Sequence, residues 1–240
     1  MAQDPSAPSE QTSTRTVDRA LHLLDAVLSS ERPASLTRLS RAVELSPSTA
    51  SRLLDTLGRH GLVQRGDDGF YRSGIRIKQL AAAALRDDPL YELSGPHLDA
   101  LAEATREAAS LGVPLGPEEV LYLRQVMAPA QLVQAIGWTG RTIPRQHTAL
   151  GAALDGLLEP PGYAVSCRPD NEVDAVAVPV HDHSGATIGA LSVSAPRYRT
   201  SLEDLHAFGE LLLEHSAQLS AALGAPPAAP TDRRPSDPGR

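Results

Sequence analysis

At 240 residues the chain can hold one large domain or two small ones, and its 41% apolar and 21% charged composition is that of an ordinary globular protein. No apolar run approaches the ~18–20 residues a membrane-spanning helix needs, and the first residues carry neither the basic nor the apolar region of a secretion signal. A single cysteine, Cys167, excludes an internal disulfide framework and a multi-cysteine zinc site.

A cytoplasmic protein is therefore expected, with no membrane partner, no metal and no cofactor. The net charge of −7 argues against nucleic acid as a partner, but its distribution argues the other way. Residues 14–80 carry 11 Arg and Lys against 7 Asp and Glu, a local net of +4, which leaves −11 for the remainder. A basic segment on an acidic body suits a DNA reader attached to a scaffold.

Residues 1–13 are polar and rich in Pro and Ser, so a disordered tail is expected there, and another over residues 224–240. Ser13 or Thr14 caps a first helix running to about Ser29, with Val17, Ala20, Leu21, Leu24 and Leu28 on one face. Arg32-Pro33 breaks it. Ser35 opens a short helix with Leu36, Leu39 and Val43 at helical spacing. Ser46-Pro47 supplies an N-cap and an N1 proline for a third helix that ends near Gly61 and turns Ala50, Leu53, Leu54 and Leu57 inward. Two short strands then flank Asp68-Gly69, a hairpin signal. Residues 75–84 read as a helix leading out of this region.

Further on, residues 91–109 read as an amphipathic helix and residues 111–115, 119–127 and 131–137 as strands. Residues 148–158 read as a helix, residues 173–180 and 186–194 as a hairpin around His183-Ser184-Gly185, and residues 201–223 as a last long helix. The fold class is α+β. The expected domains are a DNA-binding domain over 14–76, a linker helix over 77–90 and a second domain over 91–223.

Two short helices joined at Glu44-Leu45-Ser46 and followed by a hairpin make a winged helix-turn-helix. In that motif the second helix enters the major groove by its N-terminal end while the first holds it across the backbone. Here that end is Ser46, Pro47, Ser48, Thr49, Ser51 and Arg52, with Ser35 and Thr37 at the start of the supporting helix. Small hydroxyl residues permit close approach, Arg52 reaches a guanine or a phosphate, and the free amides of the helix start favour a phosphate. Arg65 and Arg72 on the hairpin are placed for neighbouring phosphates or the minor groove. Double-stranded DNA is the expected partner. Two-fold pairing would supply two half-sites, with Leu80, Leu85 and Leu90 as candidate contacts between subunits.

The stretch from Thr14 to Ile77 resembles the DNA-binding domain of the IclR-type bacterial regulators. Downstream, GRTIPRQHTALGAAL, GYAV and VAVPVHDHSGATIGALSVSAPRYR resemble the effector-domain motifs of the same family, in the same order. The resemblance implies a homodimer, often paired to a tetramer, on a roughly palindromic operator. It also implies a sheet of GAF or profilin type with flanking helices, and a small organic-acid or aromatic effector held near Thr148, Ala149, Leu150, Ala175, Ser192 and Ser194.

This sequence departs from the pattern in several places. Only AALDGLLEPP separates Gly151 from Gly162, where the family has a long, mostly helical segment. Gln146 stands where the family usually has His, Ala152 where it has Lys, Ser166-Cys167 where it has an acidic pair, and Ala175 where it often has Cys. The shortened domain is expected to lose one wall of the family's pocket.

Other chemistries have less support. His181 and His183 flank a hairpin turn without a placed carboxylate, so turn histidines are expected rather than a metal site. Cys167 would be a redox switch only if Arg168 favoured its thiolate. No G-x-S-x-G, P-loop or H-E-x-x-H motif is present, and no catalytic residue is expected. Two readings stay open for the second domain: an effector sensor, or a degenerate domain that only mediates assembly of a ligand-free regulator.

Overall fold

A computed structural model describes residues 10–30, 32–128, 137–167 and 172–227. Contact clustering divides the chain into two compact units, Met1–Asp87 and Asp88–Arg240.

In the first unit, α1 (Glu10–Leu28), α2 (Leu36–Ala42) and α3 (Pro47–Arg59) precede a hairpin of β1 (Val63–Arg65) and β2 (Tyr71–Ser73), then α4 (Ile75–Leu85). Helix α1 starts at Glu10, ahead of the expected cap at Ser13 or Thr14, so residues 10–13 of the expected tail belong to it. Leu23, Val27, Leu39, Ala50, Leu54, Val63 and Tyr71 form the core. The wing is pinned to this core because Ala34 and Tyr71 exchange backbone hydrogen bonds of 3.1 and 2.9 Å.

The turn into α3 is a Schellman motif: Leu45 N–H donates to the Ser40 carbonyl and Glu44 N–H to that of Arg41. Its left-handed residue is Glu44, at φ 53°, where glycine is the usual occupant. Helix α4 buries none of its residues.

The second unit holds α5 (Pro89–Thr105), β3 (Ala108–Leu115), β4 (Glu119–Val126), β5 (Thr142–Pro144), α6 (Ala149–Leu154), β6 (Ala164–Ser166), β7 (Val173–His181), β8 (Thr187–Pro196) and α7 (Leu202–Ala222). The strands form one six-stranded antiparallel sheet in the order β5-β4-β3-β8-β7-β6.

Alternation along the strands gives the sheet two different faces. Leu111, Val176, Val178, Val180, Leu191 and Val193 pack on Leu98 and Leu101 of α5 and Leu205, Leu212 and Leu219 of α7. The opposite face carries small side chains: Ala108, Ser110 and Gly112 on β3, Ala190, Ser192 and Ser194 on β8, Ala175 and Ala177 on β7. Helix α6 lies over part of that face, with Ala149, Leu150, Ala153 and Leu154 against Val120, Ala177 and Ala190.

Several expectations need correction. The helix expected over 91–109 ends at Thr105, because Arg106 adopts φ 57° and Thr105 Oγ1 turns back to the Leu101 carbonyl at 2.7 Å. The helix expected over 148–158 ends at Leu154, closed by a second Schellman motif around Gly156 at φ 69°. Strand β5 was not expected. Leu90, a candidate subunit contact, is buried in the core of the second unit. Of the expected strand over 131–137, residues 131–136 lie outside the described residues and Gly137 is in a loop; residues 228–240 of the expected C-terminal tail also lie outside.

Candidate functional site

The DNA-facing candidate is the start of α3. Ser46 is its N-cap, its Oγ accepting the Thr49 N–H at 3.3 Å and sharing hydrogen bonds with the Ser48 and Thr49 hydroxyls at 3.1 and 2.9 Å. Pro47 occupies N1. These hydroxyls are thus held in one cluster, and Ser46 is already used in capping. Ala50, Leu54 and Leu57 turn inward. Ser48, Arg52, Asp55 and Arg59 follow at helical spacing on the outer face, all exposed. The Arg52 guanidinium has no acidic partner among the described residues, so nothing restrains it from reaching a base edge.

On α2, Ser35 caps by accepting the Arg38 N–H at 3.3 Å, and Thr37 is exposed. Arg38 and Arg41, both exposed on this helix, are further cations that the motif does not mark. Their signal was simple Arg spacing.

The two wing arginines differ. Arg65 lies 5.7 Å from the Tyr71 ring centroid and donates to the Gly69 carbonyl at 3.4 Å, a weak tie that leaves its charge exposed. Arg72 is engaged by Asp68, with Nη1 to Oδ1 at 3.0 Å and a second contact through Nη2. That pair and the Phe70 N–H hold the Asp68 carboxyl low, at about 2.

In the second unit, a cavity of about 300 Å³ lies between α6 and the small-residue face. Thr148, Ala149, Leu150, Ala175, Ser192 and Ser194 all line it. Gly112 and Gly151 let α6 and the segment before it pack closely here. A Cβ on Gly112 would meet Leu150 at 2.8 Å, and one on Gly151 would sit 1.7 Å from the Arg145 carbonyl oxygen. Thr148 caps α6 by accepting the Gly151 N–H at 3.1 Å.

Sequence reasoning missed the aromatic side of the cavity. Tyr122 and Trp138 both line it, their ring centroids 5.6 Å apart, and the Trp138 N–H donates to Gln125 Oε1 at 2.8 Å. Burial pushes the Tyr122 phenol up to about 12. Only the rarity of Trp138, the single tryptophan, could have drawn attention to it.

Among the described residues no group of three or more His, Cys, Asp or Glu is placed to hold a metal, and no helix is long and apolar enough to cross a membrane. Partial burial and the Asp174 carboxylate push the Cys167 thiol up, which disfavours the thiolate of a redox switch. Arg168, invoked for that switch, lies outside the described residues.

The family model of the IclR helix-turn-helix domain matches residues 16–67, which contain α2, α3 and β1. The model described as the C-terminal region of the bacterial transcriptional regulator IclR matches residues 161–221, which contain β6, β7, β8 and most of α7. The chain belongs to the IclR family. It is a helix-turn-helix transcriptional regulator of that family, built on its α+β fold.

The HTH-type transcriptional regulator XynR of Escherichia coli (strain K12) is 28% identical, over 88% of this chain and 98% of its own. The HTH-type transcriptional regulator BhcR of Paracoccus denitrificans is 27% identical, over 87% of each chain. A crystal structure of an IclR homologue from Microbacterium hydrocarbonoxydans, complexed with 4-hydroxybenzoate, superposes with a TM-score of 0.74 at 21% identity, over 87% of this chain and 98% of that one. Both curated relatives are HTH-type transcriptional regulators. Within this IclR chain, the wing and the start of α3 sit in the first unit and the cavity in the second, so each is a site made by one unit alone.

Proposed function

We propose that this regulator binds an inverted-repeat operator as a dimer, one α3 per half-site, and that the cavity of the second unit takes a small-molecule effector. It works in the cytoplasm and catalyses no reaction. The observation that carries the DNA reading is the exposed, capped start of α3 with an unengaged Arg52 beside it. Ser48, Thr49 and Ser51 then approach bases or phosphates, while Ser35, Thr37 and Arg65 hold the backbone. In a mobility-shift titration, Arg52→Ala should weaken operator binding by ~1–3 kcal/mol and relax preference at one position per half-site. Equal affinity in the variant removes Arg52 from base readout.

Pairing is supported by unpartnered apolar surface in the first unit. Val17, Leu21 and Leu28 on α1 are 54%, 50% and 43% exposed, and Ile75 and Leu80 on α4 are 74% and 48% exposed. Val17, Leu21 and Leu28 recur at helical spacing, so they form one apolar stripe on α1, and a contiguous stripe marks an interaction surface.

The effector reading rests on the cavity, which coincides with the residues that the family resemblance marks. It favours a sensor over a domain used only in assembly. The deciding measurement is thermal shift of the full chain against a panel of aromatic and aliphatic metabolites, compared with an Ala175→Trp variant whose cavity is filled. Responses abolished in the variant support the sensor. A panel without any response favours the ligand-free alternative.

A further inference from the structure

Among the described residues, Ser110 Oγ and Ser192 Oγ are the buried side-chain polar atoms that lack a hydrogen bond. They stand opposite one another in the β3–β8 register, on the small-residue face, and Ser192 lines the cavity directly. A buried hydroxyl without a partner destabilises the fold unless something supplies one. Two such hydroxyls side by side under a cavity point to a ligand with a hydrogen-bonding group at that end.

The rest of the lining says what else that ligand is. Tyr122, Trp138, Ile143 and Leu150 offer a flat aromatic surface and an aliphatic one. Tyr122 keeps its phenol proton at any ordinary pH. No Lys or Arg lines the cavity among the described residues. Arg145 is paired with Asp155 at 2.7 Å, and Arg141 lies over the Trp138 ring at 5.7 Å from its centroid. Among the described lining residues a carboxylate brought here would lose water and meet only the His147 imidazole, with no permanent cation beside it.

We propose that the cavity selects an uncharged, flat, single-ring molecule, stacked against Tyr122 and Trp138, whose hydroxyl or carbonyl completes the hydrogen bonding of Ser192 and, beside it, Ser110. The volume of about 300 Å³ is at the small end of ligand cavities and suits one ring with a polar substituent. The inference rests on the effector reading above and narrows it, since it excludes acids as the preferred ligands.

The test is a matched pair of probes, 4-hydroxybenzamide and 4-hydroxybenzoate, which differ in charge and hardly in shape, titrated calorimetrically into the full chain near neutral pH. The amide should bind at least about tenfold more tightly than the acid, and Ser192→Ala should weaken it by a similar factor. A second measurement needs no ligand: Ser110→Ala and Ser192→Ala should each raise the melting temperature of the free protein by about 2–4 °C, because each removes an unpaired buried group. Tighter binding of the acid overturns the charge selectivity and leaves the effector reading standing; loss of that acid binding in Arg168→Ala would trace it to this side chain. Binding of neither probe, or binding indifferent to Ser192→Ala, overturns the proposal. So does a lower melting temperature in both serine variants, which would mean that the hydroxyls are already partnered.

Discussion

Arg72 shows that a side chain placed on a wing can already have a partner of its own. Its spacing places it toward DNA, yet Asp68 engages it through both terminal nitrogens, and the carboxyl, at about 2, stays ionised throughout the working range. On the proposed reading, phosphate and Asp68 compete for one guanidinium. Asp68→Asn should release Arg72 and remove a negative charge from the face that meets the phosphates. The expected outcome is several-fold tighter binding to operator and random DNA alike, with a salt dependence steeper by about one phosphate contact. Filter binding across a salt series measures both. Unaltered slope and affinity would mean that Arg72 never touches the backbone.

The pairing of α5 with α7 is the element-scale feature with the clearest dependence on pH. His97 and His215 meet through Nδ1 atoms 3.0 Å apart, with ring centroids 5.3 Å apart and planes at 80°. One ring donates and the other accepts, so at least one nitrogen in the contact must be unprotonated. Burial, and then the charge of His215, push His97 below its ordinary value. The folded chain thus holds fewer protons at His97 than the unfolded chain does. Stability from this group is present above the unfolded value of about 6.5 and falls as pH drops through it, until the lower folded value is passed. Melting temperature should decline across that interval, and His97→Gln should flatten the decline. A parallel pH profile in the variant would assign the slope to other groups.

Elements were legible in the sequence where local chemistry marks them. The box formed by Ser201 and Asp204 starts α7, Ser46-Pro47 starts α3, and alternation reveals β7 and β8. Ends set by backbone conformation alone were not legible. Arg106 and Glu44 adopt positive φ without being glycine, and Leu157 and Leu158 continue an apolar pattern past the stop at Gly156. The cavity was half legible. Its α6 and β8 residues fall in motif blocks, whereas Tyr122, Gln125 and Trp138 come together only because the chain returns from β4 and the Trp138 amide bonds Gln125.

At the scale of the whole molecule, the first prediction is assembly. The exposed apolar residues of α1 and α4 should be covered by a second copy, giving sedimentation at about twice the 25.4 kDa of one chain. Leu21→Lys combined with Leu80→Lys should shift the equilibrium to monomer and weaken operator binding, since each half-site would then bind alone. A double variant that still sediments as the parent would place the interface elsewhere.

The two-faced sheet has a consequence for how such a regulator can change over generations. Substitutions at Leu111, Val178, Leu191 or Val193 disturb close packing against α5 and α7 and are removed by selection for folding. Substitutions at Ala108, Ala175 or Ser194 change the lining of the cavity and leave that packing in place. The same strands therefore offer one surface that heredity must keep and another that it is free to vary. A lineage can acquire a new chemical signal one small residue at a time, with the packed side of the sheet left unchanged.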